Sequence, residues 1–365
     1  MKTHTKDRKP VSNRIIIFCC ILLILLSLYA VLYGVSKKEI NTRTEQFAAE
    51  RWMNQDSLYN YAQLSCFFTS ETGFNMNNLL SLSRSYDERM MSESLSSQSG
   101  TRLWIHGYSG QGKVSVDAPT NIQTQVTAVG NDFFYFHNIE LLSGSYFTDD
   151  PMNNDHVIIS EYLAWILFGS YDVIGKDVFI SSVPYYICGV SKDAYSNGGI
   201  AEPHIFMQYD LYQKIDSSVF ISCYEVLLPN PISDFALNIV KSYISYNVLD
   251  YEIIQNTSRF NLINTLKNLN NLTQRNIKTN KVIYPEWENS ARILEQKIAY
   301  LLLVRIIILF MIAITLTFMI VIYRINISVF FEKTYKAIKT KVKNTKIAKA
   351  ISNKRRKEYE EMEFH

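Results

Sequence analysis

The chain has 365 residues, of which only 19% are charged, against about 25% in an ordinary soluble domain. Its formal net charge of +3 hides three blocks: residues 1–14 carry five Lys/Arg and one acid, residues 36–298 are net acidic, and residues 324–365 carry 12 Lys/Arg against five acids. Two long apolar runs separate these blocks. This pattern excludes an ordinary cytosolic enzyme and, because only two segments can span a bilayer, a carrier that forms a pore alone.

The first apolar run covers residues 15–34, twenty positions without a formal charge, and as a helix it spans roughly 30 Å, one hydrocarbon thickness. A basic stretch precedes it, as in a signal peptide, but the run is long for one and no small-x-small cleavage site follows. Residues 15–35 are therefore predicted to be an uncleaved anchor. The second run covers residues 301–323, is interrupted only by Arg305, and predicts a second transmembrane helix over 299–323.

Basic residues precede the first run and follow the second. Under the positive-inside rule they predict a two-pass cell-membrane protein with a cytoplasmic N-terminus (1–14), a cytoplasmic tail (324–365) and a large extracytoplasmic block (36–298).

The external block begins with a charged segment, residues 36–52, which predicts a helix continuing out of the membrane. Residues 53–100 have poor periodicity and predict mixed loop and helix. Residues 102–105 and 113–116 then predict short strands around a Gly-rich turn, and residues 123–129 a buried strand.

A strand–helix–strand unit follows later in the block. Residues 219–228 are strand-like, Asn230 and Pro231 are suited to start a helix, and residues 251–254 form the next strand. A helix covering one face of a sheet predicts an α+β external domain. After a polar stretch, 256–285, an apolar stripe predicts a stalk helix running into the second span: Trp287, Ala291, Leu294 and Ile298.

Six phrases occur in a characteristic order between residues 126 and 190: VTAVGNDFF (126–134), LSGSYF (142–147), VIIS (157–160), LFG (167–169), IGKDV (174–178) and YICGV (186–190). Their order and spacing resemble the external core domain of MacB-like ABC transporter permeases. The resemblance implies an external domain that clamps or senses a substrate and couples to ATP hydrolysis inside. The departures are also clear, since family permeases have four spans, whereas this chain has two and carries Ser145 after Gly144 where the family has Arg. The chain is therefore expected to be a reduced form of such a permease.

No catalytic, metal or cofactor site is predicted. Residues 107–114 nearly match a phosphate-binding loop, but Val114 stands where a Ser or Thr would hold magnesium. The six histidines show no ligand spacing, and a loose calcium site at Asp149, Asp150 and Asp155 is less favoured than a solvated loop. The chain is expected not to be an enzyme and to depend on a separate ATPase subunit.

The external cysteines, Cys66, Cys188 and Cys223, are odd in number and are no disulfide framework. One pair plus a free thiol and three buried thiols both stay open.

Two features carry the partner predictions. Arg305 is a charge inside a span, where it either reaches toward the lipid headgroups or contacts a partner. The tail interleaves apolar and basic residues, which predicts an amphipathic helix on anionic lipid, a docking surface for the ATPase, or a solvated basic tail that only obeys the positive-inside rule: Phe330, Phe331, Lys333, Lys336, Lys339, Lys341 and Lys343. Nucleic acid is not an expected partner.

The leading hypothesis is a membrane subunit of an ABC-type export or mechanotransmission system, assembled with a separate ABC ATPase and with a fuller permease or further copies of itself. The alternative is a non-transporting sensor or assembly scaffold with the same external domain.

Overall fold

The computed structural model describes residues 13–53, 58–97, 102–148, 155–192, 196–197, 200–270 and 280–362. The chain divides into two compact units, Met1–Val35 with Leu303–His365, and Ser36–Leu302.

The elements follow one another in chain order. The helices are α1 (Asn13–Asn41), α2 (Ala48–Met53), α3 (Met76–Ser92), α4 (Phe133–Phe136), α5 (Glu161–Phe168), α6 (Tyr209–Ile215), α7 (Phe235–Tyr243), α8 (Leu262–Asn270) and α9 (Glu286–Met362). The strands are β1 (Tyr61–Phe68), β2 (Ile105–Val116), β3 (Ile122–Asn131), β4 (Leu141–Gly144), β5 (His156–Ser160), β6 (Asp177–Ile180), β7 (Val183–Ser191), β8 (Ser196–Asn197), β9 (Ile200–Ala201), β10 (His204–Gln208), β11 (Cys223–Pro229) and β12 (Tyr251–Gln255).

The first unit contains the apolar lengths of α1 and α9. Within the described residues, Ile16–Asn41 and Glu286–Val321 are long and apolar enough to cross a membrane. Large apolar side chains on both helices are exposed, for example Leu23 and Phe310, as expected where lipid rather than protein covers them. The two predicted spans are confirmed as two long apolar helices.

The second unit is built on a mixed ten-stranded sheet in the order β12-β1-β11-β2-β3-β10-β5-β7-β4, with β6 linking β7 back to β2. The pairs β3–β10 and β5–β7 are parallel, and the other pairs of the sheet are antiparallel. Helices and sheet together form the predicted α+β domain.

The two faces of the sheet contribute to different hydrophobic clusters, because successive side chains of a strand point to opposite faces. Along β1, the side chains of Ala62, Leu64, Cys66 and Phe68 enter the main core, which α3, α5, α6 and α7 cover. Phe67 joins a second cluster with Phe133, Val282 and Trp287. Tyr61 joins a third, under α2.

The predicted Gly-rich turn at 107–112 is wrong, because this segment is the middle of the continuous strand β2. The glycines make room for aromatic rings: a Cβ at Gly112 would lie 2.5 Å from Cζ of Tyr212, whose hydroxyl donates to the carbonyl of Lys113. Gly107 similarly faces the backbone of Phe133. The segment is therefore no phosphate-binding loop, in agreement with the interpretation of Val114.

Three further boundaries differ from the predictions. The stretch 53–100 does contain α3, but it also contains the buried strand β1. The helix leaving the first span ends at Asn41, and a short 3-10 turn precedes α2. Helix α7 begins at Phe235 rather than at Pro231, although the Oδ1 of Asn230 does accept a hydrogen bond from the backbone N of Ala236.

Candidate functional site

The start of α9 carries a buried ion pair. Arg259 donates from its two terminal nitrogens to the two carboxylate oxygens of Glu288, at 2.8 Å each, and its Nε lies 3.0 Å from Oε1 of Glu295. The three side chains are only 3%, 1% and 6% exposed. Glu288 and Glu295 are seven residues apart, so they share one face of the helix. One guanidinium thus holds two turns of α9.

Burial by itself would lower the pKa of Arg259, but the charges of Glu288 and Glu295 outweigh it, and the pKa of this guanidinium is raised. Arg259 therefore stays charged, and the bidentate geometry with Glu288 is the strong form of this contact.

The position of Arg259 is fixed by the turn that follows β12. Its backbone N donates to the carbonyl of Asn256 at 3.0 Å, and Ser258 adopts a positive φ of 63°. The guanidinium also donates to Oδ1 of Asn256 at 3.3 Å and to Oε1 of Gln46 at 3.1 Å. Gln46 belongs to the turn after α1, so Arg259 touches the segments that follow α1 and begin α9.

A chain of hydrogen bonds continues from Asn256 into the sheet. Nδ2 of Asn256 donates to Oγ of Ser65 at 2.8 Å, and Ser65 donates to Oε1 of Glu225 at 2.8 Å. Ser65 and Glu225 are directly opposite on β1 and β11. The other carboxylate oxygen of Glu225 forms a hydrogen bond with Nε2 of His137. His137 directly follows α4.

His137 leads back to α9. Its ring lies 4.6 Å from the ring of Trp287 and stacks on Phe133 at 4.4 Å. Since Trp287 directly precedes Glu288, the contacts form a closed circuit through strands β1 and β11, the turn after β12 and the helix. We call this circuit the coupling network; its members are Ser65, His137, Glu225, Asn256, Arg259, Trp287, Glu288 and Glu295.

A second arginine braces the same turn of helix. The Nε of Arg292 lies 2.7 Å from Oε1 of Glu288, and its Nη2 lies 3.0 Å from Oε2 of Glu252 in β12. Its guanidinium carbon lies 3.8 Å from the centre of the Tyr284 ring. Burial and a hydrogen bond to Glu252 raise the pKa of Tyr284 to about 12. The tyrosine therefore stays protonated and serves as a fixed donor.

Two openings flank the first turn of α9. A cavity of about 300 Å³ lies between Trp287, residues 42–45 and residues 137–140. A cleft of about 610 Å³ is lined by Thr127, Glu202 and His204, among other residues. Burial lowers the pKa of His204 to about 4, so the walls near it carry a neutral imidazole.

The coupling network was not found by sequence reasoning. A signal was present in the sequence, since Glu225 interrupts an otherwise apolar strand and Glu288 and Glu295 flank the apolar stripe of the stalk. Arg259 gave no signal, because it lies in a polar, Asn-rich stretch. The stripe itself is confirmed: Trp287, Ala291, Leu294 and Ile298 are all buried.

The residues singled out from the sequence do not come together in one site. Arg305 is buried in the unit of the long helices, beside Tyr29 and Tyr33. Lys336, Lys339 and Lys341 are exposed on α9. The side chains of Phe330, Phe331, Lys333 and Lys343 lie outside the described residues, as do Asp149 and Asp150 of the calcium alternative.

Among the described residues, no group of three or more His, Cys, Asp or Glu could hold a metal ion. Cys66, Cys188 and Cys223 are free and buried. Cys66 faces the main core and Cys223 the second cluster, so the alternative of three buried thiols is the one observed. Burial raises the pKa of all three thiols, that of Cys188 to about 11.

The arrangement defines a class: an α+β domain flanked in sequence by two helices long and apolar enough to cross a membrane. Residues 67–234 match the sequence profile of the MacB-like periplasmic core domain. The match indicates a membrane component of the ABC-transporter type.

Two solved structures are similar to part of this chain. The periplasmic region of MacB from Actinobacillus actinomycetemcomitans is 13% identical, with a TM-score of 0.39, over 56% of this chain and 92% of that one. The extracellular domain of the noncanonic ABC-type transporter YknZ from Gram-positive bacteria is 14% identical, with a TM-score of 0.36, over 53% of this chain and 99% of that one. No curated protein matches the sequence.

Proposed function

We propose that this chain is the permease-like membrane subunit of an ABC-type export or mechanotransmission system. Its external domain responds to ATP hydrolysis carried out by a separate subunit, and the chain itself catalyses no reaction. The termini face the cytoplasm, where the ATPase is.

The coupling network is the observation that carries this proposal. It fastens the first turns of α9 to strands β1 and β11 and to the turn after β12 through buried, directional contacts. Helix α9 then continues without interruption from Glu286 to Met362. A displacement of this helix would be resisted by directional ion pairs rather than absorbed by a flexible linker.

The proposal needs an ATPase contact on the far side of the membrane. The exposed lysines of the tail supply a basic surface, and the tail is helical up to Met362. We assign this segment to docking of the ATPase subunit, with anionic lipid as the other ligand it can meet.

The first experiment is purification of the full chain from native membranes in mild detergent, followed by mass spectrometry. We expect a stoichiometric ATP-binding subunit that is lost when residues 330–357 are deleted. A clean homo-oligomer without an ATPase would contradict the proposal and favour the sensor or scaffold alternative.

A second experiment separates coupling from assembly. Glu295→Gln removes one of the two carboxylates at Arg259 and leaves the bidentate pair with Glu288. We expect the ATPase to co-purify normally while transport, or substrate-stimulated ATP hydrolysis, decreases. The matched control is Glu39→Gln, which breaks the exposed pair with Lys297. Equal activity of the two variants would contradict a coupling role.

A further inference from the structure

Arg305 is a buried cation with at least one unused hydrogen-bond donor among the residues that the structure describes. Its side chain is 9% exposed, and its guanidinium carbon lies 5.5 Å from the ring centre of Tyr33 and 6.0 Å from that of Tyr29. Its buried Nε has no hydrogen bond to any residue that the structure describes. Aromatic faces attract the positive charge, but they do not supply the oxygen acceptor that the Nε–H donor needs.

The two apolar runs offer Arg305 no counter-charge. Residues 15–34 contain no charged residue, and Arg305 is the only one in residues 301–323. A buried charge in apolar surroundings is costly unless it is paired. An anion with acceptor oxygens, lying outside the residues that the structure describes, would supply both the counter-charge and the missing acceptor.

The position of Arg305 selects the kind of anion. It is four residues into the second apolar run, roughly 6 Å along the helix axis from its beginning. Tyr33 directly precedes Gly34, the last residue of the first run. Tyrosine and arginine at the end of a span are typical of the headgroup level of a bilayer. At that level the abundant anion is the phosphodiester of a phospholipid.

We propose that Arg305, Tyr29 and Tyr33 form a binding site for an anionic phospholipid of the outer leaflet. The guanidinium donates to two oxygens of the phosphodiester, a geometry for which arginine is well suited. The tyrosine rings hold the guanidinium in place, and their hydroxyls are the further donors. This site is independent of ATP coupling and stands even if the proposed transport function fails.

The test uses the full chain in nanodiscs that contain equal amounts of phosphatidylcholine and phosphatidylglycerol. Lipids that stay bound after gentle extraction are quantified by native mass spectrometry. We expect the wild-type chain to retain phosphatidylglycerol selectively, and Arg305→Gln to reduce the retained fraction about tenfold, which corresponds to about 1.4 kcal/mol.

Lys297→Gln is the matched control, because it also removes one positive charge near the end of the span, from a side chain that is 51% exposed. It should keep the lipid. Tyr29→Phe with Tyr33→Phe keeps both rings and removes the hydroxyl donors, so it tests the site even if Arg305→Gln folds poorly; a smaller but clear loss of lipid is expected.

Three results would overturn the proposal. The first is equal lipid retention by Arg305→Gln and Lys297→Gln. The second is displacement of the lipid by excess inorganic phosphate, which would point to a soluble anion. In native membranes, a protein partner lost on Arg305→Gln, without lipid enrichment in the wild type, would assign the site to a partner's carboxylate.

Discussion

Arg259 shows how a single buried charge can organise a junction. Its guanidinium contacts two carboxylates of α9 and two amide side chains, Gln46 and Asn256, and almost none of it is exposed. The desolvation of such a group is offset only while its partners stay in place. The junction therefore depends most on Glu288, the bidentate partner of Arg259.

We predict that Glu288→Gln destabilises the external domain by about 3 kcal/mol, because Arg259 would keep its charge while its bidentate partner loses its charge and one of its two acceptor oxygens. The measurement is urea unfolding of the detergent-solubilised chain, followed by tryptophan fluorescence. Glu39→Gln, at an exposed pair, should change the unfolding free energy by less than about 1 kcal/mol. Equal midpoints for the two variants would show that the buried network adds no stability.

A second prediction concerns acid stability. Burial lowers the pKa of His204 and of His106 from 6.5 to about 4, so between these values the unfolded chain binds protons that the folded chain does not. Stability is then complete above pH 6.5 and decreases as the pH falls toward 4, by up to about 1.4 kcal/mol per pH unit for each histidine.

The variant His204→Gln keeps a polar group near Thr127 but cannot titrate. We expect a shallower loss of stability between pH 6.5 and 4, measured as the thermal midpoint over a pH series. A slope identical to that of the wild type would rule out His204 as a source of the acid sensitivity.

At the scale of the element, apolar patterning predicted more than polar patterning did. The two spans, the strands at 123–129 and 251–254 and the stalk stripe were all visible as apolar runs or stripes. Strand β1 was not, because Gln63 and Ser65 break its apolar pattern and yet are buried, with partners on residues 48 and 225. The coupling network was not predicted either, because its members are distant in sequence and the charge of a residue does not reveal whether it is buried.

Strand β2 gives an element-scale prediction. Gly112→Ala places a methyl group against the ring of Tyr212, which is fully buried, so it should cost about 1–3 kcal/mol of stability through overpacking. Ser115→Ala, on the same strand, is the control and should have a small effect. Unfolding titrations compare the two, and an unchanged midpoint for Gly112→Ala would mean that Tyr212 can move aside.

The tail supports another prediction at this scale. Replacing Lys336, Lys339 and Lys341 together by Glu should abolish recovery of the ATPase subunit, because the exposed basic surface changes sign. The control replaces three exposed lysines of the external domain, Lys113, Lys214 and Lys241. Affinity purification with quantitative mass spectrometry is the readout, and loss of the ATPase in both triple variants would indicate a non-specific charge effect.

At the scale of the whole molecule, the charge blocks predict which side each unit faces. The native cysteines of the external domain are buried, so with Cys19 and Cys20 replaced by serine, introduced cysteines can report topology. Ser233→Cys should react with a membrane-impermeant maleimide in intact cells, whereas Thr345→Cys should react only after permeabilisation. The reverse pattern would contradict the predicted orientation.

The order of strands also has a consequence for how the domain is made. Strand β1 lies between β11 and β12, and Ser65 pairs with residues 225 and 254. The first strand to leave the ribosome is thus completed by the last two, at a sequence separation that slows folding. Until residue 255 has been translocated, β1 presents open edges that favour aggregation. A nascent chain stalled before Tyr251 should therefore need a chaperone, while one stalled after Gln255 should close its sheet unaided.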